Sequence, residues 1–204
     1  MKANHILKVT EQQYTPEELD SIITEDETYL EADLAGNAHE LKAVAVQIEK
    51  IAERQRQITA KIQIPQPVAQ VWKVLTDYEA LADFIPNLAT SRLLEHPHGG
   101  IRLEQIGSQR FLRFNFSARV VLDLEEKFPQ EITFRMIEGD FKDFSGSWGL
   151  EPYSLAQEMG TNLCYILRVW PKRTMPVGII ERRLAKDLQL NLLAIRQRVE
   201  ALAS

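Results

Sequence analysis

The chain has 204 residues, of which 45% are hydrophobic and 26% are charged, a composition typical of soluble globular proteins that excludes a disordered chain. Its net charge of −5 argues against a nucleic-acid partner, since phosphate binding requires a basic surface. The single cysteine excludes an intramolecular disulfide, and no apolar run reaches the roughly 20 residues that a membrane span needs. Because the first residues also lack the apolar core of a signal peptide, we expect a cytoplasmic protein.

The negative charge is concentrated at the N-terminus. Residues 1–55 hold five basic and twelve acidic residues, and no lysine or arginine occurs between Glu11 and Asp33. A stretch of like charges repels itself and has little apolar area to bury. We therefore expect residues 1–38 to form a loosely ordered acidic arm and residues 39–204 to form the folded domain. The arm is interpreted either as a solvating tail or as a cover over a basic or apolar opening elsewhere in the chain.

The folded region begins with an ambiguous segment and a clear strand. Residues 41–51 fit both helical spacing and strand alternation, and their β-branched residues favour an extra strand that pairs with the next one. From Arg56 to Ile64 apolar and polar residues alternate, which predicts a half-buried strand. Prolines end this strand, and helical spacing then predicts a helix over residues 68–77 and a short second turn at 81–85.

Six further strands are predicted after these helices. Apolar residues recur at every second position, as in a strand, in residues 91–95, 101–105, 112–124, 131–137, 144–150 and 163–170. The first two flank a turn that contains Gly99-Gly100, which indicates a hairpin. At about 3.3 Å per residue, the segment from Leu112 to Leu124 extends on the order of 40 Å. A strand of this length that is apolar on one face only must curve around another part of the protein.

The region from Pro176 to Leu202 is predicted as one long helix. Its apolar stripe consists of Val177, Ile180, Leu184, Leu188, Asn191, Ile195, Val199 and Leu202. Short connections between consecutive strands indicate an antiparallel sheet, and the helix must bury its stripe against the apolar face of that sheet. The expected fold class is therefore α+β, with a curved antiparallel sheet wrapped around a long C-terminal helix. The space that the helix leaves unfilled becomes either a thick core or a pocket.

Two segments of the chain resemble a known superfamily. The run from Ile58 to Tyr78 (ITAKIQIPQPVAQVWKVLTDY) resembles the opening of the START-like, polyketide cyclase/dehydrase superfamily. Its continuation from Leu81 to Leu88 (LADFIPNL) resembles the coenzyme-Q-binding branch, especially the cyanobacterial and plastid members. The similarity in pattern extends from about residue 57 to residue 202. The resemblance implies a helix-grip fold that encloses an elongated apolar cavity for a lipid, an isoprenoid quinone or a polyketide.

Several side chains are candidates for ligand contact. Tyr78, Tyr165 and Asn191 are candidates for isolated polar contacts to a ligand head group, and the alternative is that the backbone satisfies them. Phe84 and Pro86 follow the short helices and, by the resemblance, form part of the cavity mouth. The other candidates share an inward apolar face, where core packing is the alternative, and they are Leu103, Phe114, Phe116, Trp148, Leu188 and Leu192.

The sequence has few features of a catalytic site. None of the four histidines has metal-ligand spacing, Cys164 has no placed base, and no glycine-rich phosphate loop is present. We therefore expect no metal, no cofactor and no catalytic residue, and we interpret the chain as a protein that binds or transports a hydrophobic small molecule. One alternative is a polyketide cyclase/dehydrase-type enzyme that uses Tyr and Arg groups in the cavity. Another is an interaction module with a collapsed cavity, whose acidic arm binds a basic partner.

A basic and apolar segment precedes and begins the last helix. From Trp170 to Arg183, cationic residues are interleaved with aromatic and aliphatic ones. This pattern predicts transient contact with an anionic bilayer, to which each surface cation contributes about 1 kcal/mol. The alternative interpretation is an exposed loop with ordinary helix charges.

Overall fold

The computed structural model describes residues 38–111, 114–155, 158–173, 175 and 177–203. The acidic arm lies outside the described residues, apart from residue 38. The described helices are α1 (Ala38–Leu41), α2 (Val68–Thr76), α3 (Leu81–Phe84) and α4 (Val177–Ala203). The described strands are β1 (Ala45–Lys50), β2 (Arg56–Ile64), β3 (Leu88–Leu94), β4 (Ile101–Phe111), β5 (Phe114–Lys127), β6 (Glu131–Gly139), β7 (Asp143–Leu155) and β8 (Glu158–Trp170).

These strands form one antiparallel sheet in the order β1-β2-β8-β7-β6-β5-β4-β3. The strands from β3 to β8 follow one another as neighbours because short turns connect them. The pairing of β2 with β8 brings the beginning and the end of the domain together, with Ile64 opposite Thr161. The ambiguous N-terminal segment forms β1, in which Ala45 lies opposite Lys61 of β2. The predicted α+β helix-grip fold is confirmed.

The core lies between the inner face of the sheet and α4. The alternation predicted for β2 is confirmed, since Ile58, Ala60, Ile62 and Ile64 are all buried. Helix α4 packs against β1, β2 and α2. In its predicted stripe, Ile180, Leu188, Ile195 and Val199 are buried and Val177, Leu184 and Asn191 are half-buried. Leu202 is exposed, because it lies in the last helical turn beyond the packed part of the helix.

The long strand is bent where its pairing changes register. Strand β5 has 14 residues and begins at Phe114, so Leu112 of the predicted strand lies outside the described residues. Its pairing with β6 shifts between Val121 and Leu122, and a bulge of this kind bends a strand and increases its twist. Gly139 lies beside the bulge, where a Cβ would be 2.6 Å from the carbonyl oxygen of Arg119. The curvature predicted from the strand's length therefore has a local cause.

A network of hydrogen bonds around a buried carboxylate connects four strands on the outer face of the sheet. Glu104 of β4 is 3% exposed and accepts hydrogen bonds from Arg92 of β3 and from Arg119 of β5, the latter at 2.7 Å. Arg119 also donates to Glu138 of β6 at 2.6 Å. The hydrogen bonds from Arg92 and Arg119 hold the pKa of Glu104 below its usual value of 4.5. The charged form of Glu104 therefore stabilises the folded state.

We expect Glu104→Gln to lower the free energy of unfolding by about 1–3 kcal/mol at neutral pH, because two arginines lose their charged acceptor. Since folding lowers the pKa of Glu104, its contribution is fully present above the usual pKa and is lost as the pH falls through the folded-state value. Urea unfolding at neutral pH and at about pH 3 measures both effects. The matched control is Glu138→Gln, which removes an exposed carboxylate and is expected to cost less than about 1 kcal/mol. An undiminished difference between wild type and Glu104→Gln in acid would contradict the prediction.

Candidate ligand cavity

The inner face of the sheet and α4 enclose a cavity of about 200 Å³. Because α4 packs on the β1 and β2 side of the sheet, the inner faces of β4, β5 and β6 are left partly uncovered. Side chains of these three strands line the cavity together with residues of α2, β7, β8 and α4. Most of them are aliphatic or aromatic, such as Leu122, Ile132 and Leu188. The wall is therefore apolar, and it favours apolar contents over water.

Aromatic rings form one wall of the cavity. Trp148 of β7 lies opposite Tyr165 of β8 in the sheet, and their rings stack with centroids 3.7 Å apart. Phe134 of β6 lies beside Tyr165, with the ring centroids 6.0 Å apart. Gly146 of β7 makes this arrangement possible, because a Cβ at that position would be 2.6 Å from Cζ of Phe134. The wall presents flat, polarisable surfaces suited to a ring-bearing ligand.

Two polar groups in this lining lack a partner. Within the described chain, neither the Tyr165 hydroxyl nor Oδ1 of Asn191 has a hydrogen-bond partner, and Oδ1 is fully buried. Burial raises the pKa of Tyr165 well above its usual value, so its hydroxyl stays protonated and can donate a hydrogen bond. A buried polar group without a partner is costly. A ligand with a matching polar group would remove that cost.

The third predicted polar contact, Tyr78, is already engaged. It lines the cavity, but its hydroxyl donates to Oε1 of Glu126 at 2.6 Å. Burial and this hydrogen bond both raise the pKa of Tyr78. Its backbone carbonyl in turn accepts a hydrogen bond from Ser91 Oγ at 2.6 Å. Tyr78 therefore contributes its ring to the lining, while its hydroxyl holds the end of β5 against the connection between α2 and α3.

The opening of the cavity lies between the α3–β3 connection and α4. Pro86 and Asn87 are exposed residues of the lining, and Asn87 Nδ2 donates to Asp187 Oδ1 of α4 at 3.3 Å. Asn87 has a φ of 62°, in the left-handed region that asparagine tolerates better than most residues. Its carbonyl accepts the Ser108 N–H at 2.9 Å, which ties the connection to β4. Two hydrogen bonds, one to α4 and one to β4, therefore hold the residues at the opening.

The structure brings most of the predicted contacts together around this cavity. Those that line it are Tyr78, Pro86, Leu103, Trp148, Tyr165, Leu188 and Asn191. The side chains of Phe114 and Phe116 lie outside the described residues. Whether the lining residues bind a ligand stays a prediction.

Phe84 and Leu192 are not among the residues that line this cavity, and their contact with a ligand stays a prediction. Phe84 lies on the side of α3 that faces α4, where Arg198 is 5.7 Å from its ring centroid, whereas Leu81 and Ile85 face the cavity. Leu192 is fully buried in the core, because it is turned about 100° around α4 from Asn191, which faces the cavity.

Sequence reasoning also missed several lining residues. Ile132 and Phe134 alternate on β6, so the period of that strand was a usable signal for them. Gln105 and Asp187 are polar members of the lining, and no local pattern distinguished them from surface residues.

The described residues contain no group of three or more His, Cys, Asp or Glu side chains that could hold a metal ion. None of their helices has the length and apolar character needed to cross a membrane. Cys164 lies next to Tyr165 on β8, and burial raises the pKa of its thiol. A half-buried thiol with a raised pKa is a poor nucleophile.

The family described as "Polyketide cyclase / dehydrase and lipid transport" matches residues 64–193 of the chain. No curated protein matches the chain in sequence.

Solved structures share the fold at low sequence identity. The Zhui aromatase/cyclase from a Streptomyces species superposes with a TM-score of 0.60 at 18% identity, over 74% of this chain and 96% of the other. A START superfamily protein from Mycobacterium smegmatis gives 0.60 at 17% identity, over 72% and 98%. A STAR-related lipid transfer protein from Xanthomonas axonopodis gives 0.55 at 18% identity, over 76% and 98%. At these identities the likeness concerns the fold.

Proposed function

Because the chain belongs to the polyketide cyclase/dehydrase and lipid transport family, we propose that it binds a hydrophobic small molecule in its internal cavity and leaves that molecule chemically unchanged. The observation that carries the proposal is the apolar, aromatic-walled space of about 200 Å³ beneath α4. Apolar area removed from water drives such binding, at about 25 cal/mol per Å². Solved structures of similar fold include a protein named as an aromatase/cyclase and one named as a lipid transfer protein.

The size of the cavity favours a ligand that inserts a ring or a short chain. An apolar cavity of about 150 Å³ already holds benzene, so this one has room for one or two rings or a short prenyl segment. A longer tail would have to leave through the opening beside Pro86. We therefore propose a ring-bearing ligand, such as a quinone or a polyketide-like aromatic, with its ring against Trp148.

The polar groups of the cavity support an oriented ligand. The neutral Tyr165 hydroxyl can donate a hydrogen bond to a carbonyl, and the Asn191 amide offers both a donor and an acceptor; both residues belong to the lining. Both groups lie within an apolar lining, where a hydrogen bond is stronger than in water. A carbonyl-bearing ring would gain both apolar burial and a defined orientation.

Mass spectrometry of the purified protein tests the proposal. Native spectra should show a bound apolar molecule, or uptake of added naphthoquinone in a one-to-one complex. Organic extraction followed by mass analysis should return the ligand with its mass unchanged. A protein that neither carries nor takes up any apolar molecule would contradict the proposal.

The enzyme alternative rests on one observation, the unpartnered Tyr165 hydroxyl. A neutral tyrosine can act as an acid toward a ligand carbonyl. The arginine that this alternative also expects is not found among the described residues of the lining. Incubation of the protein with a carbonyl-bearing ligand distinguishes the two functions, because a dehydrating cyclisation lowers the ligand mass by one water.

We expect Tyr165→Phe to weaken the binding of naphthoquinone by roughly two- to tenfold, because one hydrogen bond contributes about 0.5–1.5 kcal/mol. Naphthalene, which has no carbonyl, should bind the variant and the wild type equally. Isothermal titration of both compounds gives the comparison. Tyr153→Phe is the matched control, since it removes a hydroxyl from a tyrosine that does not line the cavity. Equal losses for the two compounds would show that the hydroxyl does not orient the ligand.

Two finer predictions belong to this proposal. The resemblance of the segment from Leu81 to Leu88 to the coenzyme-Q-binding branch supports an isoprenoid quinone as the ligand. The basic segment from Trp170 to Arg183 supports transient contact with an anionic membrane from which such a ligand would be taken. Extraction of the ligand and vesicle sedimentation test these predictions separately.

A further inference from the structure

One polar residue interrupts the apolar stripe of α4 where the helix borders the cavity. Asn191 lies between Leu188 and Ile195, at the spacing that keeps all three on one face of the helix. All three belong to the lining, and Leu188 and Ile195 are buried. Asparagine has a lower helix propensity than leucine, and its amide needs hydrogen-bond partners that an apolar wall does not supply. Packing alone therefore does not account for an asparagine at this position.

The oxygen of this amide lacks a hydrogen-bond donor. Oδ1 of Asn191 is fully buried and has no partner among the described residues. An amide oxygen only accepts hydrogen bonds, so the missing partner is a donor. The protonated hydroxyl of Tyr165 has no partner in the described chain either, so the two groups do not satisfy each other.

Other donors of the lining are already engaged elsewhere. The Tyr78 hydroxyl donates to Glu126 at 2.6 Å, and Nε2 of Gln105 donates to Oγ of Ser91 at 3.4 Å. A buried water needs two to four polar partners, and the wall of this cavity is mainly apolar. The donor that Asn191 lacks is therefore best supplied by the ligand.

We propose that Asn191 determines which ligands the cavity prefers, by accepting a hydrogen bond from a hydroxyl group on the ligand's ring. The inference rests on the proposed function and narrows it to rings that carry a hydroxyl, in addition to any carbonyl that Tyr165 would bind. A ring that carries only carbonyls leaves Oδ1 of Asn191 without a partner, which is costly in an apolar lining. An ether in place of the hydroxyl has the same disadvantage, because it has no proton to donate.

Two ligands that differ in this one proton test the proposal. Isothermal titration gives the affinities of 2-naphthol and 2-methoxynaphthalene for wild type and for Asn191→Leu. The ratio of the two affinities is compared between the proteins, so that the difference in hydrophobicity between the compounds cancels. We expect the preference for 2-naphthol to fall roughly two- to tenfold in Asn191→Leu, the loss that corresponds to one neutral hydrogen bond. Naphthalene, which has neither group, should bind both proteins with similar affinity.

Asn162→Leu is the matched control, because it removes the same amide from a residue outside the lining. Oδ1 of Asn162 accepts a hydrogen bond from Nε2 of Gln63 at 3.1 Å on the exposed part of the sheet. This variant should keep the wild-type preference for 2-naphthol. Thermal unfolding adds a second readout, since Asn191→Leu should be at least as stable as wild type when an apolar side chain replaces an unsatisfied amide.

The outcomes separate this inference from the proposed function. Binding of naphthalene with the same preference for 2-naphthol in wild type and Asn191→Leu would overturn the inference and leave the proposed function intact. Failure of all three compounds to bind would overturn both. An Asn191→Leu variant that is less stable than wild type would also overturn the inference, since the amide would then have a partner within the protein.

Discussion

A Gly146→Ala variant will lose about 3–5 kcal/mol of unfolding free energy, because β7 has no room for a side chain at this position. A Cβ on Gly146 would overlap the carbonyl oxygen of Ile166 and lie 2.6 Å from Cζ of Phe134. The first neighbour is backbone of the adjacent strand, and it cannot move without disturbing the pairing of β7 with β8. The second is a buried ring of the cavity wall, which would be displaced toward Tyr165. Urea unfolding followed by fluorescence measures the loss.

The matched control lies three residues further along the same strand. A Cβ on Gly149 would have its nearest neighbour, Cβ of Cys164, at 3.9 Å, an ordinary van der Waals distance. Gly149→Ala also lowers the backbone entropy of the unfolded chain, so its stability should stay within about 1 kcal/mol of wild type or rise. Equal losses for the two variants would mean that strand propensity, rather than the close approach at Gly146, determines the effect.

Filling the cavity from β5 will abolish most of its affinity for apolar compounds while the fold is retained. Ala118 lines the cavity, and Ala118→Phe would place a phenyl ring in the space of about 200 Å³. If the ring displaces on the order of 100 Å² of ligand contact, naphthoquinone should bind on the order of 50-fold more weakly. Isothermal titration gives the affinity, and thermal unfolding shows whether the variant remains folded.

Ser117→Phe is the control for this variant, because residue 117 points to the other face of the sheet. It introduces the same ring on the same strand and leaves the cavity unchanged. We expect its affinity for naphthoquinone to equal that of wild type. Full binding by a folded Ala118→Phe variant would show that ligands bind elsewhere on the protein.

The elements of this fold were predictable because their signals are local. Alternation from Arg56 to Ile64 predicted both the strand β2 and its buried face. Residues 41–51 had no such clear signal, and only their pairing with β2 resolved them as a strand. The sequence pattern did not show which of two adjacent helix residues faces the cavity, and Asn191 and Leu192 are an example. One faces the cavity and the other the core, and that difference depends on where α4 crosses the sheet.

Features that depend on distant parts of the chain had no signal in the sequence. The contact between Asn87 and Asp187 joins residues that are 100 positions apart. The requirement for glycine at position 146 arises from two strands that pair with β7 on either side. Both features follow from the tertiary arrangement, which period and propensity do not encode.

Because α4 lies to one side of the sheet, the fold has one closely packed region and one region that contains the cavity. Contacts of the helix with β1, β2 and α2 supply tight packing, whereas β4 to β6 present side chains toward empty space. A side-chain atom that faces the cavity has no packing contact on that side to lose. Exchanging one aliphatic residue for another at the cavity therefore costs less unfolding free energy than the same exchange in a close-packed interior. Chains that descend from one ancestor can therefore differ in the compound that they bind and still keep the same fold.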